Sequence, residues 1–223
     1  NIARDCNSAK KYWHFIKVMG RSASHVALEC ALETQPNICL ISEEVAAKKM
    51  SLSAIADYIA DSVEARAAKG MNFGIAVIPE GVVEFVPEFS VLIHEINELL
   101  AGSKADAFNA LPTWEDKYAF IEKGLTKESM EVFAILPTAI QQQLFLERDP
   151  HGNVQVSLIE SEKLFSAMVA DKLAARKAAG TYKGKFSALH HFLGYEGRCA
   201  FPSNFDSDYC YSLGYNAFML IQY

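Results

Sequence analysis

Three short apolar runs, YWHFIKV at 12–18, ICLI at 38–41 and GIAVI at 74–78, alternate with two stretches of helical periodicity. This order constrains the fold more than any other feature. Tyr12 to Val18 is rich in aromatic and β-branched residues, reads as a strand and breaks at Gly20. Ser22 can cap the helix that follows, in which Val26, Ala27, Cys30 and Ala31 share a face before Thr34-Gln35-Pro36 ends it. A buried strand is expected from Asn37 to Ser42. A second helix then starts at Ser51 or Ser53, carries Ile55, Ile59 and Val63 on one face, and closes at Lys69-Gly70. The strand Gly74 to Ile78 halts at Pro79. Strands that are apolar almost throughout, in β-α-β-α-β order, predict an α/β fold: a parallel β-sheet with helices on both faces. Ligands of such sheets sit beyond the carboxyl ends of the strands, which here selects Met19-Gly20-Arg21 and Pro79-Glu80-Gly81.

Beyond a helix from about Pro87 to Leu100 the pattern changes. Residues 101–143 are broken by Gly102, Pro112, Gly124 and Pro137 and read as several short helices of an insertion. Asp149 to Gly152 reads as a turn, NVQVSLI at 153–159 as a strand, and Glu160 to Ala179 as a helix ended by Gly180. The chain then returns to the sheet through Phe186 to Leu193, followed by the polar cluster Gly194 to Arg198, and Pro202-Ser203 opens a last helix. The expected division is 1–100 as the first part of an α/β domain, 101–182 as a mainly helical insertion, and 183–223 as the return to the domain with its final helix. A start at Asn1 without Met and an end in the apolar run Ala217 to Tyr223 suggest a part of a longer polypeptide.

Composition narrows the function classes. With 51% apolar residues, 223 residues can bury a real core. The 27 Asp and Glu against 21 Lys and Arg leave no overall positive field for nucleic acid. No apolar run reaches the roughly 20 residues of a membrane span, so no membrane partner is expected. Cys6, Cys30, Cys39, Cys199 and Cys210 are odd in number and never arranged as CxxC, arguing against disulfides and zinc. They are expected to be buried small hydrophobes in a cytoplasmic protein.

Arg21 alone would be an ordinary surface cation. Its setting adds more: Gly20 lets backbone approach a ligand, the amides of Ser22, Ala23 and Ser24 lie at a helix start that favours anions, and the guanidinium is a planar donor fork. Glu80, between Pro79 and Gly81, is a solvated acid, the N-terminal charge of the next helix or an acceptor for hydroxyl protons. Tyr195 and Arg198 add a phenol and a second guanidinium. Together these residues suit a sugar phosphate. Other motifs fail: His94-Glu95 is followed by Glu98 rather than the second histidine of a zincin, Gly180 to Phe186 lacks the spacing of a P-loop, and His190-His191 in a strand must point to opposite faces.

The run KYWHFIKVMGRSASHVALECALETQPNICLISEEV at 11–45 closely resembles the stretch of pyrophosphate-dependent phosphofructokinases that carries their MGR motif. IPEG at 78–81 and GYEGR at 194–198 match two further sugar-phosphate motifs of that family in the same order, and LERDPHGNVQVS at 146–157 resembles the long-chain type. The resemblance covers essentially the whole chain. It implies the small-domain, Rossmann-like fold of these enzymes, with Met19, Gly20 and Arg21 lining a fructose 6-phosphate site, Glu80 on sugar hydroxyls, and Tyr195 and Arg198 on the sugar or its 6-phosphate. The implied chemistry is reversible phosphoryl transfer from pyrophosphate to the sugar 1-hydroxyl, giving fructose 1,6-bisphosphate, with Arg21 able to stabilise the moving charge. The family's GGDD-type and TxD-type motifs are absent from 1–223. The resemblance therefore implies that the catalytic Asp and the pyrophosphate site with its Mg2+ lie N-terminal to Asn1, that this part is inactive alone, and that the full-length protein is a homo-oligomer. An ATP-dependent relative, a non-catalytic regulatory subunit and a sugar-phosphate-sensing module remain alternatives.

Overall fold

The computed structural model describes residues 1–20, 23–100, 103–146, 154–197 and 199–222. Two compact units result, Asn1–Leu193 and Gly194–Tyr223. In the first, α1 (Ile2–Ala9) leads into β1 (Trp13–Val18), α2 (His25–Thr34), β2 (Ile38–Cys39), α3 (Ser42–Ala47), α4 (Leu52–Ala67) and β3 (Gly74–Pro79). A 3₁₀ turn at Val82–Phe85 precedes α5 (Pro87–Leu99), α6 (Ser103–Asn109), α7 (Trp114–Gly124), α8 (Lys127–Ile135) and α9 (Thr138–Leu146). Last come α10 (Ser161–Ala178) and β4 (Ala188–Leu193).

The four strands are parallel in the order β2-β3-β1-β4. Every residue of β1 and β3 is buried, which explains their continuous apolar runs. Alternation along β1 splits the core. Trp13 and Phe15 join Ile55, Ile59, Val63 and Leu173 on the face of α4 and α10, while Ile16 and Val18 meet Cys6 and Ala27 of α1 and α2 on the other. Helices thus cover both faces, as predicted. Gly74 is needed for packing, because a Cβ there would lie 2.6 Å from the Trp13 ring. Ser51 caps α4 by accepting the Ala54 amide at 3.1 Å, and the Glu88 carboxylate accepts the Leu52 amide at 2.8 Å.

Three expectations need correction. The strand drawn over 37–42 shrinks to Ile38–Cys39, with Leu40 adding one ladder bond to Val77, because the chain turns into α3 at Ser42. Within the predicted strand 153–159, the described residues form a 3₁₀ turn at Val156–Leu158. Val154, Val156 and Ile159 are buried while Leu158 is exposed, a pattern that departs from strand alternation and reports insertion into the core through the turn. Finally, Cys199 and Cys210 are exposed rather than buried, whereas Cys6 is buried and Cys30 and Cys39 half-buried; all five are free thiols. The expected turn at Asp149 to Gly152 lies outside the described residues.

Helices of the segment 101–182 share the main core: Phe108, Ile121, Phe133 and Phe145 belong to the same buried cluster as Trp13 and Phe15. A buried ion pair ties α10 to the sheet. Lys17 Nζ donates to the Ile159 carbonyl at 3.1 Å, lies 3.8 Å from Glu162 Oε2 and sits 4.5 Å over the Phe192 ring. Burial, the largest influence, pushes the Glu162 carboxyl up despite this cation. The second unit holds a 3₁₀ turn at Tyr195–Gly197 and α11 (Asn204–Gln222). Ser203 and Asp206 cap α11 reciprocally, the Ser203 amide donating to Asp206 at 2.8 Å and the Asp206 amide to the Ser203 hydroxyl at 3.2 Å. No described helix is long and apolar enough to cross a membrane.

Candidate functional site

Register brings Met19, Gly20 and Glu80 of the predicted site together at the carboxyl edge of the sheet. Val18 lies opposite Pro79 on one side and Leu193 on the other, so Met19 and Glu80 leave adjacent strands side by side. The Met19 amide donates to the Leu193 carbonyl and the Glu80 amide to the Val18 carbonyl, each at 3.0 Å. These bonds extend the ladders one residue beyond the strands.

Glu80 is buried, at 5% exposure, and its Oε2 accepts the Gly20 amide at 2.9 Å. It is therefore not a solvated acid but the brace of the loop after β1. Gly20 has φ 150°, which side-chain-bearing residues rarely adopt, and a Cβ there would lie 3.2 Å from the Ala23 carbonyl oxygen. The glycine is thus required by backbone geometry in a loop whose amide is held by a carboxylate.

A second carboxylate holds the far end of this loop. Glu43 Oε1 accepts the Ser24 amide at 3.0 Å, and the Ser24 hydroxyl accepts the Ser42 amide at 2.8 Å. The Ser24 amide is the foremost influence holding the Glu43 carboxyl below the usual carboxylate range, aided by Glu43's own amide and the Ser24 hydroxyl. This corrects the expectation for the start of α2. The residue preceding that helix is Ser24, and its amide serves Glu43 rather than standing open to an anion. Ser22, expected as the cap, lies outside the described residues.

Of the predicted site residues, the structure brings together Met19, Gly20 and Glu80. Tyr195 belongs to the second unit, with 74% exposure, and its carbonyl accepts the Cys199 amide at 2.7 Å. Arg21 and Arg198 lie outside the described residues. Sequence reasoning missed Glu43, and named Ser24 only for an amide open to an anion, not for its bonds to Glu43 and Ser42. The strand-end rule that selected 19–21 and 79–81 also applies to β2, but a strand drawn to Ser42 obscured Ser42-Glu43 as its outlet.

The histidine pair behaves as the strand geometry predicts. His190 Nε2 meets the Ser166 hydroxyl at 2.6 Å, whereas His191 Nε2 lies 2.9 Å from His14 Nδ1 with the two rings stacked. Among the described residues, no group of three or more His, Cys, Asp or Glu is arranged to hold a metal ion. A cavity of about 590 Å³ between α4, α5, α8 and α10 is lined by Leu52, Val91, Ile135 and Met168, and by none of Met19, Gly20 or Glu80.

Fold and site define a parallel α/β protein with a carboxylate-braced glycine loop at the outlets of its central strands. Comparison with known proteins gives the particular group. The chain is 56% identical over 220 residues to the pyrophosphate–fructose 6-phosphate 1-phosphotransferase of Treponema pallidum, covering 99% of this chain and 38% of the relative. It is 54% identical to that of Porphyromonas gingivalis, over 99% of this chain and 40% of the relative. To the beta subunit of the same enzyme from Solanum tuberosum it is 52% identical, over 100% of this chain and 37% of the relative. No family model matches the chain. Along essentially its whole length the chain is thus homologous to a segment of pyrophosphate–fructose 6-phosphate 1-phosphotransferases, and it spans about two fifths of the length of these relatives.

Proposed function

We propose that this chain is the sugar-phosphate-binding part of a pyrophosphate-dependent phosphofructokinase that interconverts fructose 6-phosphate and fructose 1,6-bisphosphate. The observation that carries this reading is the Glu80–Gly20 contact at the sheet's carboxyl edge, in a chain homologous throughout to enzymes of that name. In this proposal Met19, Gly20 and Arg21 line the sugar-phosphate pocket. Glu80 keeps acceptor capacity beyond its bond to Gly20, since a carboxylate has about four lone-pair sites, and takes a sugar hydroxyl. Tyr195 and Arg198 hold the sugar or its 6-phosphate, and Arg21 offsets the charge of the phosphoryl group in transit.

The catalytic base and the pyrophosphate site would lie in the remaining three fifths of such a protein. Magnesium fits no ligand set among the described residues, and we assign it to that remainder with pyrophosphate. The pairing of β4 with β1 across the intervening helices supports reading 101–182 as an insertion between 1–100 and 183–223. Five free thiols favour a reducing cytoplasm, and a homo-oligomer is the proposed full-length state. The test is a donor assay. The full-length protein should phosphorylate fructose 6-phosphate with pyrophosphate; activity with ATP and none with pyrophosphate would assign it to the ATP-dependent relatives, and inactivity with both to a regulatory role.

A further inference from the structure

Gly20 and Ser24 bracket the short loop that joins β1 to α2, and each gives its amide to a carboxylate from a different strand outlet. Glu80, after β3, takes Gly20 at 2.9 Å; Glu43, after β2, takes Ser24 at 3.0 Å. Ser24 is further fixed by three features: its side chain is buried, its hydroxyl accepts the Ser42 amide, and its carbonyl accepts the Leu28 amide in the first turn of α2. The α3 start and the α2 start are therefore locked by reciprocal bonds, Ser42 amide to Ser24 hydroxyl and Ser24 amide to Glu43 carboxylate. A carboxylate is the favoured group at such a helix start, where amides lack intrahelical acceptors.

We propose that Glu43 is a positioning residue of the sugar-phosphate pocket, fixing the α2 end of the loop as Glu80 fixes its β1 end. This rests on the reading of that loop as the fructose 6-phosphate site. In this role Glu43 acts on the Ser24 amide and not on the ligand. Its effect passes through the backbone: the loop's approach to the ligand is set by two anchors, and loss of one lets the loop sample other geometries. Binding then declines without any contact being removed. The same bond occupies an amide that would otherwise draw an anion to the wrong end of the loop, directing the phosphate toward the Gly20 side.

The role separates from simple charge and from general stability by three variants of the full-length protein. Glu43→Ala removes the acceptor, Glu43→Gln keeps an acceptor oxygen without charge, and Glu43→Asp keeps the charge but shortens the reach. With Glu43→Ala, KM for fructose 6-phosphate should rise about tenfold. KM for pyrophosphate and kcat should stay within about twofold, and amides at 23–27 should exchange hydrogen faster in mass-spectrometric measurement. Glu43→Gln should stay within about twofold of the parent protein in both readouts, and Glu43→Asp should fall between. An unchanged KM and exchange rate in Glu43→Ala would overturn the proposal, as would a Glu43→Gln variant as impaired as Glu43→Ala. A fall in KM in Glu43→Ala would show repulsion of the substrate instead and overturn it too. If the unsubstituted protein cannot use fructose 6-phosphate, the pocket reading fails and takes the positioning role with it; normal use alongside a normal Glu43→Ala sinks the positioning role alone.

Discussion

Glu80 Oε2 accepts the backbone amide of Gly20 at 2.9 Å, linking the outlets of two adjacent central strands through a buried carboxylate. The bond exists because Val18 and Pro79 are in register, which sets the residues just beyond them at one height above the sheet. A carboxylate there serves two ends. It orders the loop and, in the proposed reading, offers an acceptor to a polyol.

These two roles separate by substitution. Glu80→Ala in the full-length protein is expected to lower kcat/KM for fructose 6-phosphate by about 1.5–3 kcal/mol, on the order of ten- to a hundredfold, the scale of a hydrogen bond to a charged group. Glu80→Gln keeps an oxygen for Gly20 and should lose less. Steady-state kinetics of both variants decide; equal and negligible losses would remove Glu80 from the pocket.

Gly20 tests the same loop from the backbone side. At φ 150°, with the Ala23 carbonyl 3.2 Å from any added Cβ, Gly20→Ala forces the loop to move. Expected is a rise in KM for fructose 6-phosphate of about tenfold with a moderate fall in Tm, from backbone strain of about 1–3 kcal/mol and disturbance of the bond to buried Glu80. Arg21→Ala and Arg198→Ala should each weaken use of fructose 6-phosphate by about 2 kcal/mol or more if they bind its phosphate. Unchanged kinetics in both would refute the pocket.

How far the sequence carried these conclusions depends on what each signal measures. Apolar runs at 12–18 and 74–78 located β1 and β3 because strands buried on both faces are nearly continuous in apolar residues, His14 and Lys17 of β1 being buried with polar partners instead. The serines at 51 and 53 located the start of α4 because a cap bond is local, and Ser51 is the one that makes it. NVQVSLI misled for the opposite reason: apolar residues at 154, 156 and 159 record burial, and they reach it through a single bridge residue and a 3₁₀ turn, with Leu158, the next position in strand phase, left exposed. Glu80 was legible as a strand-end acid, but its bond to Gly20 spans 60 residues and leaves no spacing to detect. Glu43 was hidden in the same way, since a carboxylate acting on a distant amide has no motif. The opposite placement of His190 and His191 was legible from strand periodicity alone, whereas the partners Ser166 and His14 required the fold.

Those histidines give a pH dependence. Burial is the foremost cause lowering the pKa of His14, assisted by His191, whereas the like-directed shift at His190 is damped by solvent because that residue is exposed. Folding therefore favours their neutral forms. The unfolded chain binds protons more readily, so stability is fully present above the ordinary histidine range near pH 6.5 and declines as pH falls toward the depressed folded values. Tm should drop between pH 7.5 and 6, a window chosen because the raised carboxyl of Glu162 acts with opposite sign just above the ordinary Glu range. A His14→Phe, His190→Phe double variant should show a flatter profile in differential scanning; an unchanged slope would assign the dependence to other groups.

The Lys17–Glu162 pair makes the sharpest stability prediction. Their side chains are 5% and 6% exposed, so each charge has lost most of its water, and the 3.8 Å separation is too long for a strong direct bond. Lys17 offsets the loss with the Ile159 carbonyl and the Phe192 ring, whereas the upward push on Glu162 shows that burial outweighs its cation. Removing Lys17 alone leaves Glu162 buried without that cation, and Lys17→Met should cost about 3–5 kcal/mol, read as a large fall in Tm. The double variant Lys17→Met, Glu162→Leu replaces both charges with apolar groups of similar volume and should recover most of that loss. A double variant as unstable as the single would mean that the loss comes from Lys17's contacts with Ile159 and Phe192 rather than from the uncompensated charge of Glu162.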